Sequence, residues 1–371
     1  MKYFSAKVAT QESFCNREEE RKALMRSMQQ NEHVVVAAPR RYGKTSLIVQ
    51  AIREAAQPFA KIDLFCVVYE DEVTRKIAKG VSEIAQQLLN RTDKTLTFLG
   101  TVFKSATIGL RASGFEIMVD FSKNTTIIEH IEDLLSGLER IAEKYQKRAV
   151  LFIDEFQDIL KIDHSTQIQA AIRAIAQHSK YITYIFSGSS RVMLEKIFDD
   201  ANQPLYMMCK KIPLNRIQDV HLQNHIQKAS QAKWGSLLPD AVIQKILTLT
   251  ECHTYYVNVL CAELIELPKP PDASTVQHFW NNQLLQYHGK IIAELEKLNT
   301  NRLKVLSTIA LMGSAHRPNS KDFLTQVRMP LATVQATVKY LLDNDYLYQT
   351  PDHGLQLVDP LMKDFLSRQY H

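Results

Sequence analysis

Short apolar runs alternate with longer stretches of helical spacing through the first 212 residues of the chain. Uninterrupted apolar runs are typical of strands inside a parallel sheet, and apolar residues at every third or fourth position are typical of amphipathic helices. Strands are predicted at residues 34–36, 59–67, 148–153 and 181–186, with helices at residues 16–28, 47–52, 74–89 and 127–141. This βαβ order predicts an α/β fold, a three-layer sandwich in which helices cover both faces of a mostly parallel sheet.

Two local patterns add detail to this part of the chain. Asn16 is followed three residues later by Glu19, a spacing typical of a capping box, so Asn16 is the predicted cap of the first helix. Apolar residues alternate with other residues on both sides of Ser113 and Gly114, which predicts a β-hairpin over residues 108–119.

The pattern changes after about Pro213, where strand-like runs give way to helical spacing. Helices are predicted at residues 220–234, 239–249, 255–267 and 274–298. Three further helices at 302–311, 320–327 and 331–342, the second capped by Asn319, precede two short strands at 346–349 and 355–358. This order predicts a winged helix, with a turn at residues 351–354. Asp359 and Pro360 are the predicted N-cap and first residue of a final helix.

Composition narrows the class of protein only slightly. The 371 residues carry 45 Lys and Arg against 40 Asp and Glu, a net charge of +5 that is compatible with nucleic acid without requiring it. The five cysteines form no Cys-x-x-Cys pair, which argues against a zinc site or a disulfide framework. Neither a signal-peptide core nor a run of membrane-spanning length occurs, so we expect a cytoplasmic protein with no membrane partner.

The segment between the first strand and the next helix has the pattern of a phosphate-binding loop. Gly43, Lys44 and Thr45 match the end of the pattern G-x-x-x-x-G-K-[ST], while Ala38 replaces its first glycine. Backbone N–H groups at a helix N-terminus bind phosphate, the lysine neutralises the β- and γ-phosphates, and the threonine hydroxyl ligates Mg²⁺. The sequence therefore predicts a nucleoside triphosphate site, and the predicted binding residues here are Pro39, Arg40, Arg41, Tyr42, Gly43, Lys44, Thr45 and Ser46.

Acidic residues follow the third predicted strand. Asp154 and Glu155 come directly after the apolar run, at the edge where open α/β sheets bind ligands. We expect Asp154 to hold the Mg²⁺ and Glu155 to orient and polarise the attacking water as a general base. The alternative interpretation is a helix N-cap followed by an acidic first-turn residue.

The fourth predicted strand ends in small hydroxyl residues. Ser187 and Ser189 are candidates for contacting the γ-phosphate or the attacking water, although an ordinary strand-to-helix turn capped by serine remains open. Arg191 could reach phosphate or pair with Glu195 along a helix.

Together these motifs resemble the archaeal-type ATPases, a branch of the STAND class of P-loop NTPases related to AAA+ and origin-recognition ATPases. The resembling residues are 14–18, 38–46, 153–157, 187–190 and 358–361. The resemblance implies a P-loop ATPase core over residues 1–212, a helical lid over 213–295 and a winged helix over 296–371. It also implies ATP with Mg²⁺ as the bound cofactors, and adenine contacts from Asn16 and Arg17.

Departures from the family pattern leave the function open. The family's Tyr-Gly-Arg run after the sensor strand reads Tyr-Met-Met at residues 206–208, which removes a candidate γ-phosphate arginine. The lid motif Gly-Gly-His-Pro-Tyr-Tyr keeps only His253 and the tyrosines at 251–256. Val358 stands where signal-transducing STAND proteins place a β-phosphate histidine, and Arg40 and Arg41 are alternative sources of charge.

Three functions follow from these patterns. The first is an ATP-hydrolysing switch whose lid and winged helix transmit the nucleotide state to a partner, which could be another protein or further copies of the chain. The second is an ATP-controlled DNA-binding protein, whose reading helix would present Thr333, Gln335, Thr337 and Lys339. The third is a scaffold that holds ATP or ADP without hydrolysis and recruits a protein.

Overall fold

The computed structural model describes residues 3–5, 7–90, 96–111, 114–121, 125–350 and 353–369. These residues divide into two compact units. The sheet unit comprises the described residues of Arg17–Arg40 and Lys44–Leu214. The helical unit comprises those of Met1–Asn16, Arg41–Gly43 and Asn215–His371.

The sheet unit is built on a parallel sheet. Its strands are β1 (Val34–Ala37), β2 (Phe59–Asp63), β3 (Ala106–Arg111), β4 (Gly114–Val119), β5 (Ala149–Asp154), β6 (Ile182–Gly188) and β7 (Lys210–Pro213). The parallel sheet has the order β2-β5-β6-β1-β7, and β3 and β4 form a separate antiparallel pair. These two strands belong to the predicted hairpin, of which residues 112 and 113 lie outside the described residues. Every residue of β5 and of β6 is buried, as expected for central strands that are covered on both faces.

Helices separate most of these strands along the chain. They are α1 (Glu18–Gln30), α2 (Lys44–Glu54), α3 (Glu70–Leu88), α4 (Leu96–Val102), α5 (Ile127–Lys144), α6 (Ser165–Ala176) and α7 (Arg191–Phe198), with a 3-10 segment at Phe156–Lys161. On the apolar stripe of α5, Ile131, Leu134 and Leu138 are fully buried in the core of this unit. The predicted α/β class and the mostly parallel sheet are confirmed.

Strand β7 was not predicted from the sequence. Among the described strands it pairs only with β1, and it therefore lies at an edge of the sheet. Of its residues Lys210, Lys211, Ile212 and Pro213, only Ile212 is buried. Lysine is common on edge strands because its charge opposes pairing with other chains, and proline is tolerated there because it cannot donate a ladder hydrogen bond. Such strands therefore give little hydrophobic signal.

The helical unit contains the C-terminal part of the chain. Its elements are α8 (Asp219–Trp234), α9 (Asp240–Thr250), α10 (Thr254–Leu264), α11 (Ala273–Leu295), α12 (Thr300–Met312), α13 (Lys321–Val327), α14 (Leu331–Asp343), β8 (Leu347–Gln349), β9 (Leu355–Leu357) and α15 (Pro360–Gln369). Strands β8 and β9 form an antiparallel pair after α12–α14, which is the predicted winged-helix order. Residues 351 and 352 of the predicted turn lie outside the described residues.

A single hydrophobic cluster runs through the helical unit. Buried residues of the predicted lid, such as Leu260 and Trp280, belong to the same cluster as Val305 and Leu361 of the predicted winged helix. The boundary between residues 295 and 296 therefore stays a prediction, as do the other domain limits.

Helix caps differ in part from those predicted. The N-cap of α1 is Arg17, which adopts a left-handed conformation and makes no side-chain cap bond, so Asn16 is not the cap. Ser320 rather than Asn319 caps α13, because its hydroxyl accepts the Phe323 N–H. Asp359 caps α15 as predicted and accepts the N–H groups of Leu361 and Met362.

Across the described part of the chain, no helix combines the length and the apolar character needed to cross a membrane.

Candidate nucleotide-binding site

The phosphate-binding loop connects the end of β1 to the start of α2. Gly43 has φ of +89°, a conformation that side chains rarely adopt, which explains the glycine at this position. Ala38 is a described residue whose φ is not positive. The alanine therefore causes no backbone strain at the position where the family pattern has glycine.

Lys44 is folded back onto its own loop. Its side chain is buried, and its ammonium donates to the carbonyl oxygens of Ala38 at 2.8 Å and Pro39 at 3.2 Å. The loop thus holds its lysine close to the segment where the phosphates are predicted to bind. Of the other predicted loop residues, Pro39 is buried and Ser46 is partly buried.

Asp154 lies at the centre of a group of polar contacts in the sheet unit. Its Oδ2 atom accepts the Thr45 hydroxyl at 2.9 Å and lies 2.8 Å from the Lys61 ammonium. Its Oδ1 atom accepts the Ser187 hydroxyl and the Glu155 N–H. The parallel register explains this convergence. Val36 pairs with Ser187 and Asp63 pairs with Asp154, so these residues lie at the carboxyl ends of parallel strands, on the same side of the sheet.

Electrostatics keep this carboxylate charged. Burial alone would raise the pKa of Asp154, but the positive charge of Lys61 and the hydrogen bonds from Lys61, Ser187 and Thr45 outweigh it. The pKa of Asp154 is therefore below its ordinary value.

Glu155 is held by the end of the neighbouring strand. It has φ of 52°, in the left-handed region, and its carboxylate accepts the Ser189 hydroxyl at 2.7 Å and the Ser189 N–H at 3.2 Å. Gln157 donates to the same carboxylate at 2.5 Å. Ser187 and Ser189 are both buried, so the predicted metal, base and sensor residues lie together with Thr45.

The tip of the phosphate loop, Arg41–Gly43, belongs to the helical unit. Tyr42 is 1% exposed and its ring makes edge contacts with His253 at 5.0 Å and Tyr348 at 6.4 Å between ring centroids. The Arg41 guanidinium lies 4.3 Å from the centre of the Tyr255 ring.

Arg216 connects several parts of the helical unit. It donates to the Tyr42 hydroxyl at 3.3 Å, to the Glu251 carboxylate at 2.7 Å and to the carbonyl oxygens of Leu357 and Val358 at 3.1 and 3.2 Å. The same guanidinium lies 4.7 Å from the centre of the Tyr348 ring. One partly buried cation, whose side chain is 11% exposed, thus links the loop tip, the end of α9 and the strand pair of the winged helix.

His253 is buried next to this network. Burial, followed by the positive charges of Arg216 and Arg41, lowers the pKa of His253 to about 3. The imidazole is therefore neutral at physiological pH. Its Nδ1 atom and the Thr254 hydroxyl make no hydrogen bond among the described residues.

The remaining predicted binding residues are spread over both units. Arg17 is buried in the sheet unit and pairs with Glu20 at 3.1 Å, while Asn16 is assigned to the helical unit. Arg40 is exposed and lies 5.5 Å from the centre of the Phe65 ring. The adenine contacts of Asn16 and Arg17 stay a prediction.

Sequence reasoning missed Lys61, Gln157 and Arg216. Lys61 interrupts an apolar strand, which is a weak signal that could have been followed to the neighbouring strand end. Arg216 stands in an irregular linker, and no local pattern singles it out. Arg191 donates to the Leu214 carbonyl oxygen, and its contact with phosphate stays a prediction.

Comparison with known families identifies the fold. Residues 14–239 match a family described as an ATPase domain predominantly from Archaea. The chain belongs to this archaeal-type ATPase family. Residues 292–368 match a second family, described as a probable winged helix domain. The predicted archaeal-type ATPase family and the C-terminal winged helix are confirmed.

Solved structures similar to this archaeal-type ATPase agree with that assignment. The Walker-type ATPase PABY2304 of Pyrococcus abyssi is 16% identical, with 96% of this chain and 97% of that chain covered and a TM-score of 0.68. The Aeropyrum pernix ORC2 protein in ADPNP–ADP complexes is 13% identical, with 95% and 92% covered and a TM-score of 0.58. At these identities the likeness establishes the fold. A search of curated proteins returned no match.

Proposed function

We propose that this archaeal-type ATPase binds and hydrolyses Mg²⁺-ATP, and that its lid and winged helix transmit the nucleotide state to a partner. The observation that carries the proposal is the packing of Arg41 and Tyr42, at the tip of the phosphate loop, with aromatic side chains of the helical unit. These loop residues contact His253, Tyr255 and Tyr348, so a change in the loop on nucleotide binding would alter the packing of the helical unit.

The chemistry of the donor set fits Mg²⁺. The Thr45 hydroxyl and the Asp154 carboxylate are oxygen ligands, joined by a hydrogen bond of 2.9 Å, and hard divalent cations prefer such ligands. These two residues would hold the ion, which when bound supplies positive charge to the phosphate oxygens.

Five further residues around the phosphate loop and the strand ends have proposed roles in hydrolysis. Lys44 leaves the carbonyl oxygens of Ala38 and Pro39 to neutralise the β- and γ-phosphates. Glu155 accepts a proton from the attacking water, and Ser189 and Gln157 hold its carboxylate in position. Ser187 fixes Asp154 through its hydroxyl.

DNA binding through the winged helix is the second candidate. The family match at residues 292–368 favours it, since winged helices commonly place a helix in the major groove. On the reading helix α14, however, Gln335 and Lys339 are exposed whereas Thr337 is buried, so Thr337 is not available to a base as predicted. A surface with few cations argues for weak DNA contact.

Hydrolysis by matched variants tests the proposal. We expect Lys44→Ala to lower ATP affinity at least about 100-fold, because it removes the charge that faces the phosphates.

Glu155→Gln is expected to bind ATP normally and to lose at least about 100-fold in kcat, because the amide cannot accept the proton. Calorimetric ATP binding and steady-state phosphate release, each with and without duplex DNA, measure both effects.

The outcomes separate the three candidate functions. Unchanged ATP affinity in Lys44→Ala contradicts the site itself. Turnover that duplex DNA stimulates, together with binding that weakens steeply with salt, supports DNA control. Normal ATP binding without turnover in the wild type supports the non-hydrolysing scaffold.

A further inference from the structure

Lys61 lies within ion-pair distance of the carboxylate that is proposed to hold Mg²⁺. It is on β2, whose parallel register with β5 pairs Asp63 with Asp154. Its ammonium is 2.8 Å from Asp154 Oδ2, the same oxygen that accepts the Thr45 hydroxyl at 2.9 Å. A protein cation and the proposed metal site therefore share one oxygen atom.

The ion pair also stabilises the buried charge of Asp154 when no metal is bound. Asp154 is 4% exposed, and a buried carboxylate without a nearby cation is strongly destabilising. Lys61 supplies that positive charge. Since Mg²⁺ would supply it as well, the two cations have overlapping roles at Asp154.

A second carboxylate lies within reach of Lys61. Asp63 Oδ2 is 3.5 Å from the Lys61 ammonium, and the Asp63 side chain is 52% exposed. The lysine side chain is itself 32% exposed and carries a flexible stem, so its ammonium can move from Asp154 towards Asp63.

We propose that Lys61 is a positioning residue that neutralises Asp154 when no metal is bound and moves to Asp63 when Mg²⁺-nucleotide binds. The inference rests on the proposed nucleotide and Mg²⁺ site. Its consequence is that displacement of Lys61 opposes metal binding. Mg²⁺ therefore increases nucleotide affinity by a smaller factor than it would if Thr45 and Asp154 held the ion without Lys61 nearby.

The test measures the Kd of ATP by calorimetry, once in the presence of Mg²⁺ and once in EDTA. Lys61→Met removes the ammonium and keeps the length of the side chain, so the ratio of Kd in EDTA to Kd in Mg²⁺ should rise at least about tenfold. Lys61→Arg keeps a cation and should give a ratio close to that of the wild type. Asp63→Asn removes the charge that receives the displaced lysine and should lower the ratio.

A readout without nucleotide accompanies this test. In EDTA, Lys61→Met should have a lower Tm than the wild type because Asp154 loses its cation, and Mg²⁺ alone should raise the Tm of this variant more than that of the wild type. An equal ratio and an equal Mg²⁺ shift in both chains overturn the proposal. If Lys61→Met does not fold, an Asp63→Asn ratio equal to that of the wild type overturns it equally well.

The two proposals fail in different ways. If the wild type binds no ATP in either condition, the proposed function is wrong, and the role of Lys61 falls with it. If ATP binds and the ratio is insensitive to Lys61 and Asp63, the inference about Lys61 alone is wrong.

Discussion

At the scale of single residues, local chemistry allowed much of the site to be predicted. Gly43, Lys44, Thr45 and Asp154 follow from the requirements of phosphate and metal binding, and the structure brings Thr45 and Asp154 into contact at 2.9 Å. Arg216 could not be predicted, because its partners are 35 to 174 positions away in sequence and depend on the tertiary fold.

His253 gives a pH-dependent prediction at the same scale. Its pKa is about 3 in the folded chain against an ordinary 6.5, so between these values the unfolded state binds more protons. The contribution of His253 therefore destabilises the fold increasingly as pH falls below 6.5, by up to about 1.4 kcal/mol per pH unit. Urea denaturation from pH 7 to pH 4 should show a steeper loss in the wild type than in His253→Gln.

The design of this measurement isolates one group. His33 and His225 also have lowered pKa values through burial, and they lower stability in acid in the same direction. Both remain in His253→Gln, so the difference between the two curves reports His253. Parallel curves for the two chains would show that His253 has no such role.

At the scale of elements, periodic apolar spacing identified strands and helices better than it identified their ends. β5 and α5 were predicted because their apolar residues form an unbroken run and a regular stripe. β7 was missed because an edge strand with two lysines has no such pattern. Asn16 and Asn319 were wrong caps because a capping residue type says little about which neighbouring position begins the helix.

The cap of α13 can be tested by two adjacent substitutions. Ser320→Ala should lower the free energy of unfolding by about 1 kcal/mol, because the Phe323 N–H loses its acceptor. Asn319→Ala is the matched control and should change stability by less than about 0.5 kcal/mol, since Asn319 is exposed and makes no cap bond. Urea denaturation at neutral pH distinguishes them, and a larger loss for Asn319→Ala would contradict the assigned cap.

At the scale of the whole molecule, family membership and element order agree on an ATPase followed by a winged helix. The packing of the loop tip within the helical unit could not be predicted from the sequence, because it depends on contacts of Tyr42 with Arg216 and His253 that form only in the tertiary fold. This arrangement underlies the proposal that the nucleotide state is transmitted to the helical unit.

Amide hydrogen exchange of Glu155→Gln, loaded with ATP or with ADP in Mg²⁺, tests that proposal most directly. We expect the nucleotides to give different protection at residues 251–256 and 346–358, which include partners of Tyr42 and Arg216. The difference should disappear in Glu155→Gln with Arg216→Ala and persist in Glu155→Gln with Arg368→Ala, whose arginine forms a surface pair with Asp364. Nucleotide-dependent protection confined to the sheet unit would contradict the account.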